Sequence, residues 1–212
     1  MAKLYFRYGA MNSGKSTALL QVAHNYEERG QHVLLAKPAI DTKDADRISS
    51  RLGVSRPVDV LVRPDDDLRA LFGEHRARTV AAGAGALVPE ETDVACLLVD
   101  EAQFLTPAQV DDLLRIAVED GIPVLAYGIR TDFRTSAFPG SLRLLELAHQ
   151  LEELKTICRC GRKALFNARL VAGRFVFEGD QVAIDELSAD RVTYEALCAE
   201  CYLRESGGRL SG

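Results

Sequence analysis

An α/β fold built on a parallel, doubly wound sheet is predicted by three features of this 212-residue chain. Short apolar runs alternate with helix-like segments from the N-terminus to about residue 150. One of those runs, Val94 to Val99, shows no polar alternation, which marks a strand buried on both faces. The first run, Lys3 to Tyr8, ends in a Gly-rich turn that opens directly into a helical segment. Sheets of this kind gather their ligands at the carboxyl ends of the strands, so those ends are where chemistry is sought.

Taken in order, the first strand leads into Gly9-Ala10-Met11-Asn12-Ser13-Gly14-Lys15-Ser16, which spells G-x-x-x-x-G-K-S. In such a loop successive backbone N–H groups turn inward to hold phosphates, and the following helix adds its partial positive charge. Lys15 would reach the β and γ phosphates and Ser16 would ligate Mg²⁺. The core is therefore expected to be a P-loop NTPase of RecA-like kind that binds a nucleoside triphosphate. Ser16 to Arg29 is the helix, ended by Gly30, and His32 to Lys37 is a second strand stopped by Pro38. From Ala39 to Pro64 the periodicity fades. That stretch holds Asp41, Asp44, Asp46, Arg47, Ser49, Ser50 and Arg51, and reads as a polar excursion with substrate or metal contacts or as a mobile surface loop. Asp66 to Arg76 is helix-like, Thr106-Pro107 caps a helix reaching Val118 with proline in its first position, and Ile122 to Tyr127 is another strand.

Composition limits the classes of function. A net charge of −5 disfavours a broad nucleic-acid surface. The apolar runs are too short to span a bilayer, and the P-loop starts at Gly9 with no room ahead of it for a signal peptide. The expectation is a reduced, cytoplasmic protein whose five cysteines are thiols or metal ligands.

The run Cys96-Leu97-Leu98-Val99 ends in Asp100-Glu101. Apolar residues ending in a carboxylate suit a Walker B strand, whose Asp meets the Mg²⁺ held by the P-loop hydroxyl. Asp100 fills that role, and Glu101 lies where a carboxylate accepts a proton from an attacking water or substrate hydroxyl. The competing reading is an acidic pair capping the next helix. Farther on, Cys158-Arg159-Cys160 and Cys198-Ala199-Glu200-Cys201 flank strand-like segments at Ala164 to Val171 and Arg174 to Glu178. Four thiolates closing a tetrahedral zinc shell would stabilise a small lobe with little core. Buried free thiols are the alternative, and for Cys96 within the sheet they are the better reading. The division expected is 1–150 for the nucleotide-binding α/β domain, 151–204 for the zinc lobe and 205–212 for a disordered tail.

The P-loop with Thr17, the Asp100-Glu101-Ala102-Gln103-Phe104 box, Gly128-Ile129-Arg130-Thr131-Asp132-Phe133-Arg134, Leu154-Lys155-Thr156-Ile157-Cys158 and the late Cys-x-x-Cys-Tyr together resemble the type II thymidine kinases, from Lys3 to Tyr202. The resemblance implies transfer of the γ-phosphate of ATP to the 5′-hydroxyl of thymidine or deoxyuridine, in pyrimidine deoxynucleoside salvage for DNA synthesis. It further implies a homotetramer and a zinc-bearing lasso closing over the base, with no membrane or nucleic-acid partner. Carried onto this chain, it makes Glu101 the general base and Asp100 the Mg²⁺ partner. It assigns Gly9 to Ser16 with Asp100, Glu101, Ala102 and Gln103 to the nucleotide, Cys158, Cys160, Cys198 and Cys201 to zinc, and Met11, Phe104, Phe133, Phe138 and Tyr194 to the nucleoside. Arg130 and Arg134 are candidates for neutralising phosphate charge or for surface ion pairs. Two stretches depart from the family pattern: the segment Ile184 to Asp190 before Tyr194, and Asp41-Thr42-Lys43 with Asp46-Arg47-Ile48. The rival reading is a nucleic-acid-dependent ATPase with a zinc knot, since Asp-Glu-Ala-Gln also fits the box of such motors. A nucleotide-binding regulatory module without turnover is a third.

Overall fold

The structure is a computed structural model that describes residues 1–39, 46–83, 93–181 and 192–210. In chain order the elements are β1 (Leu4–Tyr8), α1 (Lys15–Glu27), β2 (His32–Pro38), β3 (Arg47–Ser49), β4 (Ser55–Pro57), β5 (Val60–Val62) and α2 (Leu68–Gly83). There follow β6 (Val94–Val99), α3 (Pro107–Val118), β7 (Val124–Gly128), α4 (Pro139–Leu147), β8 (Gln150–Glu153), β9 (Thr156–Ile157) and β10 (Lys163–Ala164). The chain closes with β11 (Phe166–Val171), β12 (Arg174–Val176), β13 (Val192–Leu197) and α5 (Ala199–Glu205).

Six strands form one sheet in the order β5-β2-β6-β7-β1-β8, with every neighbouring pair parallel. Side chains alternate across a strand, so β6 places Cys96 and Leu98 on one face and Leu97 and Val99 on the other. Each face needs a cover. Leu19, Leu20 and Ala23 of α1 close the first, while α2, α3 and α4 close the second through residues such as Leu68, Phe72, Val110, Leu113 and Leu144. The result is the three-layer, doubly wound core expected from the apolar runs. The α3 start carries the capping geometry the sequence predicts: the Gln109 N–H donates to Thr106 Oγ1 at 3.3 Å, and the Thr106 N–H donates back to Gln109 Oε1 at 3.1 Å.

Three parts differ from the pattern reading. Residues 46–62 are not a featureless excursion: β3 and β4 pair as a hairpin that buries Ile48 under α1, and β5 extends the sheet beside β2. Strands of three residues carry too little periodicity to register, and a parallel partner distant in sequence selects them. Asp41 and Asp44 lie outside the described residues, as does the 184–190 stretch. Helix α4 and strand β8 were not assigned from the sequence: α4 opens on Pro139-Gly140, and β8 is mostly polar because it is the outer edge of the sheet. Beyond β8, the β11 strand pairs antiparallel with β12 and β13, and the short β9–β10 ladder holds the first cysteine pair. Residues 206–210 fold back on α5, with the Ser206 N–H donating to Tyr202 O and the Gly208 N–H to Leu203 O. Among the described residues no helix is long and apolar enough to cross a membrane.

Candidate active site

The phosphate loop joins β1 to α1 at the carboxyl edge of the sheet. Asn12 and Gly14 both take left-handed backbone conformations, with φ of 65° and 79°, which curls the loop. Gly9 is required by close approach: a Cβ there would stand 2.4 Å from Leu154 O and 2.5 Å from Ser13 Oγ. The Lys15 ammonium donates to Ala10 O at 3.0 Å and lies 3.4 Å from both Gly9 O and Ser13 Oγ, so neutral oxygens of the loop itself hold it. Burial lowers the Lys15 pKa, while the charges of Glu101 and Asp100 act in the opposite direction.

Two strands away, the Asp100 N–H continues the β2–β6 ladder by donating to Ala36 O, which fixes the carboxylate at the strand end. The Ser16 hydroxyl donates to Asp100 Oδ2 at 3.0 Å. This brings together the two residues assigned to Mg²⁺. The chemistry of the pair suits a hard divalent cation, because a hydroxyl and a buried carboxylate converge beside a second carboxylate. The chain then reverses sharply at Glu101, whose φ of 50° is rare for a residue with a side chain. Gln103 and Phe104 follow in a 3₁₀ turn, Ala102–Phe104.

Burial, then the neighbouring Glu101 charge, push the Asp100 carboxyl up from 3.8 to about 6, against hydrogen bonds from Ser16 and the Glu101 N–H and the charge of Lys37. The folded protein thus holds this proton more tightly than the unfolded chain does. Ionised Asp100 costs nothing below about pH 4, an increasing amount from pH 4 to 6, and a constant amount above, at most ~3 kcal/mol. Asp100→Asn is therefore expected to match the parent in thermal melts near pH 4 without divalent cations, and to melt several degrees higher at pH 7. A variant no more stable than the parent at pH 7 would contradict a net cost of burying this charge.

The residues expected to face a nucleoside fall into two groups. Phe104 and Phe138 meet edge to face with centroids 5.4 Å apart, Phe138 standing immediately before α4. Met11, Phe133 and Tyr194 are gathered instead by β11. Asn167 accepts from the Met11 N–H at 2.7 Å and donates to Thr131 O at 3.1 Å. Two residues along the same face, Arg169 lies with its guanidinium 3.7 Å from the centre of the Phe133 ring and donates to Tyr194 Oη at 3.1 Å, directly across the β11–β13 ladder. The same guanidinium holds the carbonyls of Asp180 and Gln181. Phe133 is almost wholly buried, and its carbonyl accepts from Tyr202 Oη at 2.7 Å. Asn167 and Arg169 were not singled out from the sequence, and Tyr202 entered only as the last residue of the late Cys-x-x-Cys-Tyr motif, with no contact assigned to it. The sequence shows only that Asn167 and Arg169, two apart in the strand-like run Ala164 to Val171, share one face of it. Arg134 pairs with the buried Asp132 at 3.1 Å, and Arg130 borders a small cavity between Gly9, Ala10 and Asn167.

The four late cysteines converge so that all sulfurs lie within 4.8 Å of one another. Cys160 and Cys198 are 3.5 Å apart, close to the ~3.8 Å edge of a tetrahedron with ~2.3 Å metal–sulfur bonds. None is in a disulfide. The donor set fits zinc. Burial raises the Cys158 thiol, but the amides of Cys160 and Cys198 and the neighbouring thiols outweigh it and bring it down to about 6, while burial and those thiols push Cys201 up to about 12. The Arg204 guanidinium, 3.7 Å from Cys201 Sγ, adds positive charge beside the sulfurs. Cys96 is separately buried in β6, as expected of a core thiol.

Comparison with known proteins agrees on one family. The family model described as thymidine kinase matches residues 2–202. The thymidine kinase of Ruegeria pomeroyi is 46% identical over 210 residues, covering 98% of this chain and 96% of that one. That of Chromobacterium violaceum is 45% identical over 204 residues, with 95% and 98% covered, and that of Enterobacteria phage T4 is 43% identical over 201 residues, with 93% and 94% covered. The Pif1 helicase of Candida albicans overlaps with a TM-score of 0.39 and 16% identity, over 74% of this chain and 37% of that one, too slight a likeness to bear on function. Matched over nearly its whole length by the family model and by these relatives, the chain belongs to the thymidine kinase family.

Proposed function

We propose that this protein is a thymidine kinase that moves the γ-phosphoryl group of ATP to the 5′-hydroxyl of thymidine or deoxyuridine. The observation that carries the reading is the convergence of Lys15, Ser16, Asp100 and Glu101 at one strand edge, with the 3.0 Å Ser16–Asp100 hydrogen bond at its centre. In-line phosphoryl transfer asks the protein for positioning and charge stabilisation. The N–H groups of the Gly9–Ser16 loop hold the triphosphate, and Lys15 leaves its carbonyl partners for the migrating charge. Ser16 and Asp100 would hold Mg²⁺, which screens the phosphate oxygens when bound. Glu101 accepts the 5′-hydroxyl proton as that oxygen bonds to phosphorus.

The aromatic faces of Phe104 and Phe138, with Met11, Phe133 and Tyr194, form the nucleoside wall in this reading. Cys158, Cys160, Cys198 and Cys201 hold a structural zinc. The two-lobe division at 150/151 and the cytoplasmic location, both expected from the chain's own motifs and composition, and the homotetramer, which the family resemblance implies, belong to the same proposal. Incubation with Mg-ATP and, separately, thymidine, deoxycytidine and single-stranded DNA tests it. The expected product is thymidine monophosphate formed in step with ADP; DNA-stimulated ADP release without nucleotide product would replace the reading with that of a motor.

A further inference from the structure

Gln103 has only 1% of its surface exposed, and both ends of its amide are engaged. The Ile129 N–H lies 3.2 Å from Oε1 and can only donate, so that end of the amide must be the oxygen. The nitrogen is thereby forced to face the other way, where it donates to Glu101 Oε2. The seat for this side chain is built by two glycines. A Cβ on Gly128 would stand 2.7 Å from Gln103 Oε1, and one on Gly140 would stand 2.6 to 2.9 Å from the carbonyls of Leu105, Ala102 and Gln103. The turn that carries Gln103 is therefore gripped between the end of β7 and the start of α4, while Glu101 beside it sits in a left-handed conformation that leaves its side chain few ways to point.

We propose that Gln103 is the positioning residue of the base, fixing the Glu101 carboxylate through an amide whose orientation is dictated by Ile129, and that it is not a nucleotide ligand. The inference rests on the reading of Glu101 as the general base. Oxygen Oε2 is held by the amide, which leaves Oε1 to take the hydroxyl proton in a fixed direction. Positioning matters here because a misplacement of about 1 Å at a reacting group can cost about 10²-fold in rate.

The test is a double-mutant cycle in the full-length protein. Gln103→Met preserves the bulk of the side chain and removes its hydrogen bonds, and Gln103→Glu keeps the acceptor for Ile129 but not the amide donor. Both are expected to lower kcat roughly 10- to 100-fold, with KM for ATP and thymidine and the affinity for ADP within about twofold. In a Glu101→Gln background Gln103→Met is expected to cost less than about twofold, since no base remains to be aimed; Gln103→Glu, which brings a carboxylate of its own, is compared only where Glu101 is intact. Equal losses in both backgrounds would mean a purely structural amide and overturn the proposal, as would unchanged kcat in the Glu101 background. Should Glu101→Gln itself retain normal turnover, the reading of the base fails instead, which the single variant reveals. If circular dichroism finds Gln103→Met unfolded, Gln103→Leu, which also lacks both hydrogen bonds, takes its place in the cycle.

Discussion

Glu101→Gln is expected to lower kcat for thymidine phosphorylation by roughly 10²- to 10⁴-fold while ATP and thymidine still bind. The substitution is nearly isosteric and keeps an oxygen to accept from Gln103, so the turn at residues 101–105 has no reason to move. What it removes is the ability to take a proton. It also removes one of the two negative charges acting on Lys15, leaving Asp100 as that partner, so nucleotide binding changes less than turnover does. Single-turnover kinetics with saturating Mg-ATP separate the two effects: phosphoryl transfer slows, while competition with ADP leaves the dissociation constant within a few-fold. Normal turnover in this variant would transfer the role of base elsewhere, and a parallel loss of nucleotide affinity would make Glu101 a binding group.

The site was legible in sequence wherever its parts are contiguous. A phosphate loop is a local geometry fixed by its own glycines and lysine, and the apolar run before Asp100 announces both a buried strand and what stands at its end. The cysteine pairs are likewise read from spacing, although only the folded β9–β10 and α5 segments bring Cys160 within 3.5 Å of Cys198. Residues whose role depends on register were not legible. Asn167 reaches Met11 across 156 positions, and Tyr202 reaches Phe133 across 69. Nothing near them in sequence hints at a partner, because the first contact is decided by where β11 lies beside the phosphate loop and the second by how α5 packs, and not by periodicity. Gln103 was read as part of a nucleotide-binding box; its two hydrogen bonds depend on where β7 ends and α4 begins, and α4 was itself hidden behind Pro139-Gly140. The same limit explains β5, whose Val60-Leu61-Val62 is too short to signal a strand until β2 lies beside it.

Removal of the zinc proposed at the four cysteines is expected to do more than loosen the C-terminal lobe. The fully buried part of the cluster around the cysteines is made largely of small side chains, Ala10, Ala164, Ala168 and Ala196 with Leu197 and Tyr202, and the rings packed on it, Phe166, Phe175 and Phe177, are only partly buried, so its apolar area offsets only part of the chain entropy. Structural zinc binding is typically worth about 10–16 kcal/mol in small metal-dependent domains, comparable to the whole stability of an ordinary domain. Ala10 belongs to this cluster and to the phosphate loop at once, and Met11 is tied to it through Asn167. Metal analysis is expected to find about one zinc per chain. Chelation, or Cys201→Ser, is then expected to abolish most thymidine kinase activity, to lower the melting temperature by ten degrees or more (roughly 3 kcal/mol or more at this size), and to weaken ADP binding as well. Hydrogen exchange distinguishes the path of the effect: residues 156–176 and 192–205 lose protection first, and the phosphate loop at 9–14 loses it with them, while β6 and β7 keep theirs. A loop at 9–14 that stays protected with unchanged ADP affinity would confine the metal's influence to the lobe, and a protein without zinc that keeps its melting temperature would return the four residues to core thiols.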